Sequence, residues 1–210
     1  MTNKKNAKTI EQAFSVAEAL IEQQRRYSYP FRNRFRHTNR VLNWAKRIHE
    51  IDGGDIDIIT LAVIFHDTGW DEKRDHALIG AEHARSFLLS QGIEEIIVSR
   101  VESAITTHNK RQSQQSDLPL ENLVVMDADI LDELGVTTLV WDAMATALEE
   151  NPSFKKALEK SQQFFTHAKA KTHLLKTKTG LQFYKERIEV WAQCLEHFRY
   201  ELGESDVIKT

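Results

Sequence analysis

The sequence predicts an all-α protein. It has only 3 prolines and 8 glycines in 210 residues, few segments alternate strictly between apolar and polar residues, and apolar side chains recur at helical offsets along most of the chain. The spacing predicts helices near residues 8–28, 37–51, 57–67, 75–91, 93–109, 120–134, 137–149, 152–169 and 180–202.

The helix at 8–28 rests on recurring apolar spacing alone. The helix at 37–51 rests on the stripe His37-Arg40-Val41-Trp44-Ala45-Ile48, which turns the His37 imidazole inward. The helix at 57–67 holds Leu61-Ala62-Val63-Ile64-Phe65, is apolar nearly all round, has Asp55 or Asp57 as N-cap and stops at Thr68-Gly69. Such a helix belongs at the centre of a core, so His66 and Asp67 at its end sit at the edge of a dry interior. At 75–91, His76, Gly80, His83 and Phe87 share one stripe; at 93–109, Ile97-Val101-Ala104-Ile105 leads to His108.

The helix at 120–134 is apolar but carries Asp127 and Asp129 in Val125-Met126-Asp127-Ala128-Asp129-Ile130-Leu131. Unpaired buried carboxylates are very costly, and a metal ion is one of the few partners that offsets them. The last three helices carry Trp141, Leu148, Phe154, Leu158, Phe164, Phe165, Phe183, Trp191 and Phe198, which the burial preference of aromatics assigns to a core. The weakest patterns fall at Tyr27–Arg36, Thr68–Arg74 and the Gln/Ser-rich Lys110–Pro119. With no repeat, heptad array or linker, residues 1–210 read as one domain.

Composition narrows the function classes. Net charge is −3, and a single cysteine, Cys194, excludes an intramolecular disulfide and fits a reducing cytoplasm. The first residues are basic but lack a signal-peptide core, and no run approaches the ~20 apolar residues that span a bilayer, so neither secretion nor membrane insertion is expected. An acidic domain without a reading motif argues against nucleic acid as a partner. Charge is unevenly placed: residues 1–50 carry 11 basic and 4 acidic side chains, 51–150 carry 6 and 20, and 151–200 carry 10 and 4. A basic frame around an acidic centre suits a small polyanionic substrate. Association as a homodimer is left open.

His37, His66, Asp67 and Asp129 are the candidate metal ligands, a set of nitrogen and oxygen donors that holds a divalent ion with room for water and substrate. In this pattern the chain resembles the HD-domain metal-dependent phosphohydrolases: one His, then His-Asp, then a distant Asp. Three segments, His37-Thr38-Asn39-Arg40-Val41, Ile64-Phe65-His66-Asp67-Thr68-Gly69 and Asp127-Ala128-Asp129-Ile130-Leu131-Asp132, are similar to small bacterial HD hydrolases acting on nucleotides. The resemblance implies a compact helical HD core over about residues 30–140 with helical N- and C-terminal extensions. It assigns the last ligand to Asp129 of Ala-Asp-x-Leu, whereas the helical stripe favours Asp127, which is kept as second partner or substitute. It also brings His76, His83 and His108 forward for a second ion bridged by Asp67.

The reaction implied is hydrolysis of a phosphate ester or anhydride of a nucleotide, with Asp67, Asp71, Glu72 and His108 as catalytic candidates. Arg40, Lys73, Arg74, Lys110 and Arg111 are candidates for meeting the phosphate. Mixed donors fit Mn, Fe, Co, Ni or Zn better than an all-oxygen Mg cage. A di-iron oxygenase and a non-catalytic nucleotide-binding signalling module are the competing readings.

Overall fold

The computed structural model describes residues 4–24, 33–69, 73–111 and 117–204. Among them every regular element is helical: α1 Lys4–Gln23, α2 Arg34–Asp52, α3 Ile56–Phe65, α4 His76–Ser90, α5 Glu95–Thr107, α6 Leu120–Asp132, α7 Val136–Thr146, α8 Phe154–Lys169 and α9 Lys178–Glu201, with one 3-10 turn at Thr172–Leu174. The all-α expectation is met, and no helix of the described residues is long and apolar enough to cross a membrane.

Capping explains where several boundaries differ from the periodic pattern. α2 begins three residues before His37 because the Asn33 side chain accepts from Arg36 N at 3.0 Å. Asp55, and not Asp57, caps α3: its Oδ1 accepts from Asp57 N at 3.1 Å and Ile58 N at 3.4 Å. Asp75 caps α4 through Ala77 N at 3.0 Å, and Thr177 starts α9 by accepting from Gly180 N at 2.8 Å.

The chain divides into two compact units, Met1–Asp129 and Ile130–Thr210. In the first, α3 packs against α1, α2, α4 and α5, and Ile58 to Phe65 are all buried, as a helix apolar on every side requires. The end of α3 is closed by Thr68, whose Oγ1 donates to Phe65 O at 2.9 Å. α4 crosses this end so closely that a Cβ on Gly80 would lie 2.6 Å from Phe65 O and 3.1 Å from His66 O. A Cβ on Gly69 would lie 2.2 Å from His76 O. Side-chain amides and acids fix the start of α6: Asn122 Nδ2 donates to Ser103 Oγ at 2.9 Å and Thr107 Oγ1 at 3.1 Å, while Glu121 Oε1 accepts from Asp55 N and an Arg100 Nη, both at 2.9 Å.

In the second unit α7, α8 and α9 pack on one another around the fully buried Trp191, which meets Phe165 edge-on at 5.3 Å and donates from Nε1 to Ser161 Oγ at 3.2 Å. Tyr184 is also buried and donates to Ala168 O at 2.7 Å. Not every apolar residue expected in this core is inside. Leu148, Phe154 and Phe164 are exposed; Phe154 packs against Phe198 at 6.3 Å between ring centres without being enclosed.

α7 also buries a carboxyl that periodicity did not single out. Asp142 is fully buried, with the Thr146 hydroxyl one turn later buried beside it and Ser161 and Lys160 its opposing polar neighbours. Burial raises the Asp142 carboxyl to about 6, against the opposing pull of Lys160 and Ser161. A carboxyl raised above its unfolded value binds its proton more tightly in the native state, so the folded form loses stability as pH climbs from about 4 through about 6. Asp142→Asn is expected to stabilise the protein at pH 7.5 by on the order of 2 kcal/mol and to flatten its stability between pH 4 and pH 7. Chemical denaturation across that range checks this; an unchanged or steeper pH profile would refute it.

Candidate metal centre

The first unit gathers six ligand-type side chains from five places: His37 on α2, His66 and Asp67 just after α3, His76 at the start of α4, His108 just after α5, and Asp129 on α6. They form two trios with donor atoms mutually within 4.8 Å, His37–His66–Asp129 and Asp67–His76–His108. Within the first, Asp129 Oδ1 lies 3.2 Å from His37 Nε2 and 3.8 Å from His66 Nε2. In the second, His76 Nε2 lies 3.2 Å from His108 Nε2 and 3.6 Å from Asp67 Oδ1. Asp67 faces both trios, because its other oxygen, Oδ2, is 3.4 Å from His37 Nε2 and 3.5 Å from His66 Nε2.

The imidazoles are oriented by the ends of the helices that carry them. His66 Nδ1 donates to Val63 O at 2.7 Å and His108 Nδ1 to Ile105 O at 2.6 Å, in both cases the carbonyl three residues back. His76 turns Nδ1 to Asp75 Oδ1 at 3.5 Å, and Asn109 Nδ2 holds that oxygen at 2.9 Å. Each ring therefore presents Nε2 to the centre, the arrangement that a metal-binding histidine needs. Burial, then the neighbouring His66, lowers the His108 imidazole to about 4, so its Nε2 carries a lone pair. Lone pairs and carboxylate oxygens converging from several helices repel one another unless a cation lies among them. The donor set fits a divalent ion in each trio.

Two arginines complete the centre. Arg34, on the first turn of α2, forms an ion pair with Asp67 Oδ2, and Arg111 donates to Asp129 Oδ2. Burial raises the Asp67 carboxyl, but His66, Arg34 and His37 outweigh it and bring it to about 2. For Asp129 burial is likewise overcome, by the hydrogen bonds of His37 and His66 and the charge of Arg111, and the carboxyl falls well below its ordinary range.

His37, His66, Asp67 and Asp129 are brought together, and His76 and His108 join them. His83 belongs to neither trio; its Nδ1 meets Thr68 Oγ1 at 3.2 Å. Asp127 is fully buried on α6 and also belongs to neither. Arg111, expected at an open mouth, is instead laid against Asp129. Arg40, Lys73 and Lys110 are exposed, and Arg74 pairs with Glu82. Asp71 and Glu72 lie outside the described residues. Sequence reasoning missed Arg34, Asp75 and Asn109. The position of Arg34 three residues before His37, hence on the same helix face, was the available signal.

Residues 34–134 match the HD domain family, a span that contains all six ligand-type residues and both arginines. Likeness of fold alone runs over nearly the whole chain. Bacillus subtilis YpgQ, solved in complex with ADP, superposes with a TM-score of 0.68 at 20% identity, over 94% of this chain and 96% of that one. An HD-superfamily hydrolase from Bacillus thuringiensis gives 0.71 at 20% identity over 95% and 100%. A predicted HD superfamily hydrolase from an uncultured Thermotogales bacterium gives 0.63 at 21% over 92% of each. No curated protein matches the sequence.

The contact of Gly80 with Phe65 O and His66 O makes the centre depend on a residue that carries no donor atom. Gly80→Ala must push α4 from the end of α3, with an overpacking cost of about 1–3 kcal/mol. Its Tm is expected to fall and its metal affinity to weaken in parallel, as scanning calorimetry and elemental analysis would record. Wild-type values of both would show that α4 and α3 can separate without cost.

Proposed function

We propose that this protein is a metal-dependent phosphohydrolase that cleaves a phosphate ester or anhydride of a nucleotide. The observation that carries the reading is Asp67, one carboxylate turned toward two His-rich trios at 3.4 to 3.6 Å. A carboxylate so placed would suit a pair of ions, whose chemistry serves reactions in which charge builds on both the attacking and the leaving oxygen. Among proteins of similar fold, the YpgQ complex with ADP supports a nucleotide as the substrate class.

In this reading His37, His66 and Asp129 would hold one divalent transition metal, and His76 and His108, with Asp67, would hold a second. Bound there, the ions supply Lewis acidity, bringing the activation of water toward neutral pH and offsetting negative charge on phosphoryl oxygens. The protein contributes the rest. Val63 and Ile105 carbonyls hold Nδ1–H of His66 and His108, so that only Nε2 addresses the centre. The apolar wall of α3 keeps bulk water from the inner side, which strengthens every charge interaction at the site. The exposed Lys73, Lys110 and Arg40 are the candidate contacts to the substrate phosphates. Cys194 is unpaired, in keeping with the reducing cytoplasm we infer as its compartment.

The decisive assay is a panel of nucleoside mono-, di- and triphosphates, each with Mn, Co, Ni, Zn or Mg, with phosphate and pyrophosphate measured separately. Metal-dependent release of one of these products is expected, and Asp67→Ala should lower turnover about 1000-fold, the scale of losing about 4 kcal/mol of transition-state stabilisation, while also losing metal. Tight ADP binding with no product under any metal would favour a nucleotide-binding regulatory module and overturn the hydrolase.

A further inference from the structure

The terminal torsion of an aspartate is broad and two-fold, so nothing intrinsic to Asp67 makes it turn one oxygen to each trio, or makes Asp129 turn a single oxygen inward. Their surroundings do. Arg34 pairs with Asp67 Oδ2, and Arg111 holds Asp129 Oδ2, leaving Oδ1 for His37 and His66. The two contacts run crosswise. Arg34 lies three residues before His37 of the first trio but holds the carboxylate of the second; Arg111 lies three residues after His108 of the second but holds the carboxylate of the first. Each arginine thereby joins the backbone of one trio to the ligand of the other. A planar guanidinium fixes direction as well as charge, which an ammonium does not.

We propose that Arg34 and Arg111 are positioning residues that divide the centre into two separately tuned ion positions. Arg111 governs the His37–His66–Asp129 position by presenting Asp129 Oδ1. Arg34 governs the Asp67–His76–His108 position by holding Asp67 across both trios and preventing it from turning both oxygens to the first. The proposal rests on the reading that both trios hold ions. It makes a prediction that electrostatics alone reverses. Removing a positive charge beside a cation site strengthens cation binding, whereas removing a positioning group weakens it at one position only.

The test titrates the metal-stripped full-length protein with Mn2+ and with Co2+, using calorimetry for affinity and stoichiometry and the Co2+ visible spectrum for ligand environment. His66→Ala and His108→Ala mark the two positions. Wild type is expected to take two ions. Arg34→Gln should weaken the position lost in His108→Ala by 10-fold or more and leave the other within about 3-fold; Arg111→Gln should do the opposite. Arg34→Lys and Arg111→Lys, which keep the charge and are gentler on folding, should show the same selectivity in smaller measure. Unchanged or tighter binding in the Gln variants, or equal weakening at both positions with an unchanged Tm, overturns the arginine assignment while the metal reading stands. Wild type binding no ion overturns both.

Discussion

Two carboxylates, Asp67 and Asp129, lie buried where an apolar helix ends, and the first unit is organised around compensating them. Their exposures of 6% each leave water little part in solvating the charge. Three histidines and one arginine address Asp67, and two histidines and one arginine address Asp129. Uncompensated, either charge would cost several kcal/mol. The compensating groups come from α2, from the α3–α4 connection, from α4, from the residues after α5 and from α6. Packing of these elements and solvation of the two charges are therefore one problem, and the match of residues 34–134 to the HD domain family covers just the stretch in which it is solved.

Much of this was legible in the sequence because it is periodic. Of the stripe that turns His37 inward, His37, Val41, Ala45 and Ile48 are buried, and the uniformly apolar α3 is buried from Ile58 to Phe65. The same periodicity misleads where a residue's role depends on rotation within a short helix: Asp127 shares the apolar stripe of α6 more fully than Asp129, yet Asp129 reaches the histidines. His76 and His83 share a face of α4 over seven residues, but only His76, at the end nearest α5's last turn and its His108, enters a trio; His83 is taken up by Thr68.

What periodicity could not supply are contacts made by loop residues and by chain ends. Arg34 shares the face of His37 but sits at the first turn of α2, Arg111 lies beyond α5, and the carboxylates they meet are distant in sequence. Asp75 and Asn109 act through a single shared hydrogen bond between two such ends. In the second unit, Asp142 occupies an inward position on α7 that a pattern of apolar residues would assign to Leu or Ala. Its burial is a local conflict between charge and packing, offset by Lys160 and Ser161 only in part.

Gly80 has a consequence for how the protein folds. A glycine within a helix costs about 1 kcal/mol relative to alanine, so α4 in isolation is weakened at its fifth residue. It recovers that deficit only when seated against the carbonyls of Phe65 and His66. The helix and the turn that presents His66 and Asp67 are thus stabilised together. Assembly of the ligand constellation is then coupled to completion of the first unit, so that an intermediate lacking this docking would lack the centre as well.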